Sequence, residues 1–222
     1  MKKILVHNQE NLDRCVNDGN IAIIGWVGAV LQGDARAELY GNASAVLKDG
    51  SRAVLKENSS AELFGVSRAE LWDSASAVLK ENSSAELWGM AHAALWGTAR
   101  ATFWEKSSAV LWDGALAWLK DNATAVFNGN SRGELRDKSS GVFNDNSHGI
   151  LREDSQGEFN DYSYGDIGDN THGVFRGNSR GELWRDASAV FLDGSTGELW
   201  GNSNARTYGN AAIVGNKNEN DV

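Results

Sequence analysis

The sequence predicts an all-β fold: a single-stranded β-solenoid (β-helix) of eight-residue repeats, closed at its N-terminus by a short α-helical cap. Three observations predict it. Residues 35–210 repeat every eight positions without insertion or deletion, giving 22 copies, and a fixed period marks a repeat architecture. Small or apolar residues hold positions 1, 3 and 5 of each octad and alternate with polar ones, the period of a strand with one buried face. Positions 7 and 8 are turn pairs such as Asp49-Gly50, Glu57-Asn58 and Asp121-Asn122.

The cap comes first, over residues 1–26. Met1 to His7 reads as a strand, Asn8 as an N-cap, and Gln9 to Asp18 as an amphipathic helix burying Leu12, Cys15 and Val16. Gly19 stands where a C-terminal cap belongs, and Ile21 to Ile24 leads into the first coil. Repeat proteins need such ends, because an open strand edge invites pairing with another chain.

The solenoid follows over residues 27–214. Position 5 is Leu, Phe or Ile in every copy but the last, where it is Thr207. Parity selects parallel stacking. A two-residue hairpin loop would swap the buried set between odd and even positions from strand to strand, whereas here it stays odd. Two octads per coil, 16 residues, explain the sorting of residue types. Arg at position 2 occurs at 36, 52, 68, 100, 132 and 180, all in one alternate set, and Phe at position 5 recurs at 127, 143, 159, 175 and 191 in the other. A three-sided coil of 24 residues competes through the near-identical blocks at 53–60 and 77–84. At about 4.8 Å per stacked strand, two octads per coil give a rod of about 50 Å. Gly at position 3 (Gly133, Gly141, Gly149, Gly157) coincides with Phe at position 5, so small and large residues compensate in a thin core. Ala211 to Val214 is apolar, and residues 215–222 read as a disordered polar tail.

Composition bounds the function. The chain lacks proline, which suits uninterrupted ladders, and carries 25 glycines and 9 tryptophans. The lone Cys15 excludes an internal disulfide framework. No signal peptide or membrane span is read, so the expected localisation is cytoplasmic. A net charge of -9 argues against direct nucleic-acid binding.

Two outward faces remain. The first carries Arg at position 2 (Arg68 among them), acids at position 4 including Glu70 and Glu86, and aromatics or bases at position 6. There Trp72, Trp88 and Trp104 are expected to stack on consecutive coils, as are Trp184 and Trp200. Such a ladder stabilises strands and equally offers a platform to a protein or a sugar. The second face carries Ser at position 2 and an apolar stripe of Val78, Ala94, Val110, Val126 and Val142, widened by Trp96 and Trp112. A contiguous stripe marks an interface, most simply that of a two-fold homodimer.

No catalytic, metal or cofactor site emerges. Asp121, Asp145 and Asp169, each followed by Asn, read as turn residues bonding their own turn amides rather than calcium ligands. The four histidines are scattered, and the repeated position-1 serines point into the core.

The motif Ala61-Glu62-Leu63-Phe64-Gly65 resembles pentapeptide-repeat proteins, some of them acidic rods that mimic DNA, although the period here is eight. The chain is more similar to octapeptide-repeat β-solenoid proteins of bacteria and their phages. Runs such as Asp121-Asn122-Ala123-Thr124-Ala125-Val126 and the segment Asn8-Gln9-Glu10-Asn11-Leu12-Asp13 carry that likeness. It implies the fold and no defined activity. The expected function is therefore a non-catalytic solenoid presenting flat faces to a protein partner, with self-association through the Val stripe. The alternatives are an acidic inhibitor occupying a nucleic-acid channel, and a glycan- or ice-binding surface. Outward Thr is sparse for ice (Thr102, Thr124, Thr196).

Overall fold

Sixteen residues separate every paired strand from its neighbour in the solenoid, which decides the coil length. Ser84 sits beside Arg100 and Arg68, and Phe127 beside Phe143, all in parallel ladders. The computed structural model describes residues 1–217, a β-solenoid of 16 residues per turn with one short helix near the N-terminus. No 24-residue coil forms.

The regular strands are four residues long, positions 2 to 5 of each octad. The hydrogen-bond ladder nevertheless reaches both flanks. The position-2 amide donates to the position-1 carbonyl one turn earlier (Arg52 to Ala35, 2.8 Å), and the position-6 amide to the position-5 carbonyl (Lys56 to Leu39, 3.0 Å). The turns stack in the same way, Asn58 N–H donating to the Gly41 carbonyl at 3.1 Å. Position 7 is left-handed throughout, with φ of 58° at Asp49 and 61° at Glu57. Gly and Asp enter that region readily. Glu and Arg do not, so they need another reason to be there.

Two compact units divide the chain at Ala109/Val110. In the first, one sheet stacks Lys3–Val6, Ile21–Ile24, Arg36–Leu39, Arg52–Leu55, Arg68–Leu71, Ser84–Leu87 and Arg100–Phe103. The other stacks Ala29–Leu31, Ser44–Leu47, Ser60–Leu63, Ser76–Leu79 and His92–Leu95. Ala at positions 1 and 3 and Leu at position 5 fill the space between them, with Leu39, Leu47, Leu55 and Leu63 fully buried.

The helix Gln9–Asn17 closes this unit. Asn8 caps it by accepting the Asn11 amide at 2.9 Å, and Gly19, at φ 71°, receives the chain beyond Asp18. Leu12 and Cys15 are buried as expected, while Val16 is only half-buried. Gln9 plays a part that periodicity cannot show. Its side-chain amide accepts from Val30 N–H and donates to the Val30 carbonyl, both at 2.9 Å. One side chain thus stands in for a neighbouring strand on the open edge of the second sheet.

The second unit stacks Leu116–Leu119, Arg132–Leu135, His148–Leu151, Tyr164–Ile167, Arg180–Leu183, Thr196–Trp200 and Ala212–Lys217 in one sheet. Thr124–Phe127, Ser140–Phe143, Gln156–Phe159, His172–Phe175, Ser188–Phe191 and Asn204–Thr207 form the other. Its core is a file of five Phe rings, 127, 143, 159, 175 and 191, stacked at centroid distances of 4.4 to 4.8 Å. Position-3 glycines make room for them. A Cβ on Gly133 would lie 2.3 Å from the Phe127 ring, and one on Gly165 2.6 Å from Phe159. The compensation between Gly and Phe is therefore a steric fit, the ring of position 5 reaching across to position 3 of the following strand.

The last strand, Ala212–Lys217, pairs with Thr196–Trp200 through a bulge after Gly197. It extends three residues into the segment expected as a disordered tail, which corrects that reading for 215–217. Residues 218–222 lie outside the described residues. No helix among the described residues is long and apolar enough to cross a membrane.

Candidate functional site

Because positions 1, 3 and 5 are committed to the core, the outward surface consists of positions 2, 4 and 6 and the corners. On the first sheet of the first unit, Trp72 and Trp88 stack at 4.4 Å and 8° between planes. Trp104 holds the same position one strand later. Arg68, Glu70 and Glu86 are exposed beside the pair. In the second unit Trp184 and Trp200 stack at 4.7 Å and 11°.

Acids at position 4 are paired from position 6 rather than from position 2. No ion pair joins Arg68 to Glu70 or Glu86. Bases at position 6 reach acids at position 4 instead: Arg136 to Glu134, Arg152 to Asp166 at 3.2 Å, Lys80 to Glu62 at 3.5 Å and Arg176 to Glu158 at 3.4 Å. Position 4 and position 6 point the same way two residues apart, and the longer arm at 6 spans to a neighbouring rung. At the cap, Lys3 holds the Glu38 carboxyl below the usual carboxylate range through a hydrogen bond.

The second sheet's apolar stripe is real within each unit but interrupted. Val78 pairs with Ala94 in the first unit; in the second, Val126 pairs with Val142 and Val174 with Val190. Glu62 and Glu158 break the row. Trp96 is exposed, and so, in the second unit, are Val110 and Trp112. Beside Val126 and Val142 runs a feature the sequence reading missed, an amide ladder at position 6. Asn160 Nδ2 donates to Asn144 Oδ1 and Asn144 Nδ2 to Asn128 Oδ1, each at 3.0 Å. Three Asn residues 16 apart were its only signal.

The corners carry a second ladder. Position-7 carboxylates accept the position-7 amide of the preceding turn, as Glu57 does from Gly41 (2.6 Å), Glu81 from Gly65 (2.7 Å) and Asp145 from Gly129 (2.9 Å). This corrects the expectation that the corner acids bond their own turns. It also explains why Glu tolerates a left-handed backbone there, since the charge-assisted bond offsets the strain. Asp169 in addition pairs with Arg185 at 2.6 Å, and that hydrogen bond above all pulls its carboxyl below the usual range.

The position-1 serines 51, 59, 67 and 83 have no exposed surface. His92 and His172 contact Ser108 and Ser188 one rung away at 3.0 and 3.1 Å. Among the described residues no three His, Cys, Asp or Glu side chains gather as metal ligands would.

A further apolar patch escaped the sequence reading, because each member replaces a polar residue only once. On the first sheet of the second unit Leu116, Trp118 and Ile150 sit beside His148, around a cavity of about 170 Å³. Tyr164 meets the His148 ring edge-on at 4.8 Å. Burial, and then Arg132, hold the His148 imidazole below its ordinary pKa of 6.5, and burial raises the Tyr164 phenol. No protein-family model, curated protein or solved structure matches the chain.

Proposed function

We propose that this solenoid is a non-catalytic presenting surface, which offers flat, regularly ridged faces to a protein partner and pairs with a second copy through its second sheet. The observation that carries the reading is the row Val126–Val142 in register beside the Asn128–Asn144–Asn160 ladder. Apolar side chains at one height, bordered by amides locked to each other, form a flat strip that self-complements about a two-fold axis. The likeness to octapeptide-repeat proteins is consistent with a scaffold role. Solution mass by light scattering tests it. The native chain should weigh twice the 24.0 kDa of one copy, and a Val126→Glu/Val142→Glu variant should fall to one copy with its circular dichroism intact. A native monomer would refute the pairing.

A second reading, an acidic inhibitor of a nucleic-acid-acting protein, has support of its own. Asp166, Glu182 and Glu198 lie on three adjacent strands, and Asp145 and Asp161 follow one another along a corner. Arg152 and Arg176, each in an ion pair beside them, reduce that field. Competition with duplex DNA for a DNA-binding enzyme, lost at high salt, is the outcome that would favour it.

A further inference from the structure

The aromatic ladder at position 6 has a missing rung. Trp200 covers one face of Trp184 at 4.7 Å. On the other face the same position one turn earlier is Gly168, which has no side chain to cover it. A cavity of about 520 Å³ opens beside these residues, bounded by Trp184, Trp200, Arg152, Asp166, Asp169 and Arg185 around the Gly168 backbone. That volume lies in the ~300–1,000 Å³ range of small-molecule clefts.

The walls are already organised. Arg152 Nη1 and Nη2 reach Asp166 Oδ1 and Oδ2, each at 3.2 Å, and Nη1 also donates to the Leu151 carbonyl at 2.9 Å. Arg185 Nη1 donates to Asp169 Oδ1 at 2.6 Å. The side chains of Arg152, Asp166 and Asp169 are each about one-third exposed. They therefore combine a fixed position with partial exposure at the cavity. The cavity thus sets an aromatic side chain beside two carboxylates and two guanidinia whose charges cancel.

Cancelled charge selects against a strongly ionic ligand. Adjacent donors and acceptors match vicinal hydroxyls, each of which both gives and takes a hydrogen bond. An open indole face takes the C–H face of a puckered ring. We propose that this missing rung is a binding site for a neutral glycan, one pyranose ring lying on Trp184 with its hydroxyls bridging the Arg152–Asp166 and Arg185–Asp169 pairs.

Filling the rung tests the proposal without disturbing the core. Gly168 is not left-handed, and an added Cβ would meet only the Arg152 side chain, which lies over the Gly168 backbone with Nη1 at 3.3 Å and Cδ at 3.8 Å and must swing aside. Gly168→Trp therefore completes the stack and closes the site. The full chain is titrated with cellohexaose, maltohexaose and chitohexaose, following tryptophan emission and binding heat. Saturable binding of at least one is expected, weakened about tenfold or more, ~1.4 kcal/mol, by Gly168→Trp and by Trp184→Ala. Gly168→Trp should keep the wild-type thermal midpoint; if it does not, Trp184→Ala alone decides. No saturable response to any of the three at millimolar concentration overturns the proposal. Binding that survives Trp184→Ala overturns it as well.

Discussion

Gly165→Ala is the perturbation that most directly tests how the second core is built. The residue lies outside the left-handed region, so its backbone accepts alanine. In an open strand the change would stabilise by about 0.4–1 kcal/mol, because alanine has fewer unfolded conformations to lose. Here the new Cβ would stand 2.6 Å from Phe159 Cζ and 2.8 and 2.9 Å from Cε1 and Cε2, against 3.4 Å for ordinary contact. The ring must yield by nearly an ångström. It has nowhere to go along the stack, where Phe143 and Phe175 flank it at 4.8 and 4.6 Å. Overpacking of this kind costs about 1–3 kcal/mol, so steric strain outweighs the entropic gain and the net loss should be about 1–2 kcal/mol. Urea denaturation followed by circular dichroism reads it as a lower midpoint. Thermal unfolding should fall by about 2–4 °C per kcal/mol. The double variant Gly165→Ala/Phe159→Leu recreates the Ala–Leu pairing of the first unit and should lose less than the two single changes together. A Gly165→Ala variant at least as stable as the native chain, or strictly additive losses, would refute the steric account.

Three other outcomes follow from the same geometry. Asp145→Ala keeps the left-handed backbone but forfeits the bond to Gly129 N–H, whereas Asp145→Gly relieves the backbone; denaturation midpoints should rank Ala below Gly by about 1 kcal/mol. His148 is held below its ordinary pKa of 6.5 by burial and then by Arg132. The unfolded chain therefore binds the proton more readily, and stability is lost as pH falls through and below about 6.5. Thermal midpoints between pH 7.5 and 5.5 should fall less steeply in His148→Gln, and equal slopes would contradict the assignment. Cys15 is buried beneath the helix, and burial raises its thiol pKa. Ellman's reagent should label it only as fast as the cap opens, with the rate rising in Gln9→Ala.

The unbroken octad period determined the parallel stacking and the odd-numbered core, because a repeat repeats its environment, while the 16-residue pairing of strands chose between coils of two and three octads. Any residue in register meets the same neighbours 16 positions away, so sequence sorting and spatial sorting coincide. The Phe file and its facing glycines were legible for that reason, and so were the helix and its Asn8 cap, which depend on contacts within a few residues.

What the sequence left open is what depends on reach and direction. Whether Arg68 or a position-6 base finds the position-4 acid, and which amide a corner carboxylate chooses, are decided by side-chain torsions within a fixed lattice of backbone positions. The missing rung at Gly168 is of the same kind. One glycine among 25 says nothing by itself, and it becomes a cavity only because Trp184 and Arg152 stand one strand away on either side. Period alone sufficed for the backbone, whose hydrogen bonds leave few alternatives. The surface chemistry was settled only by the tertiary structure, where side chains from separate turns compete for the same space and the same partners.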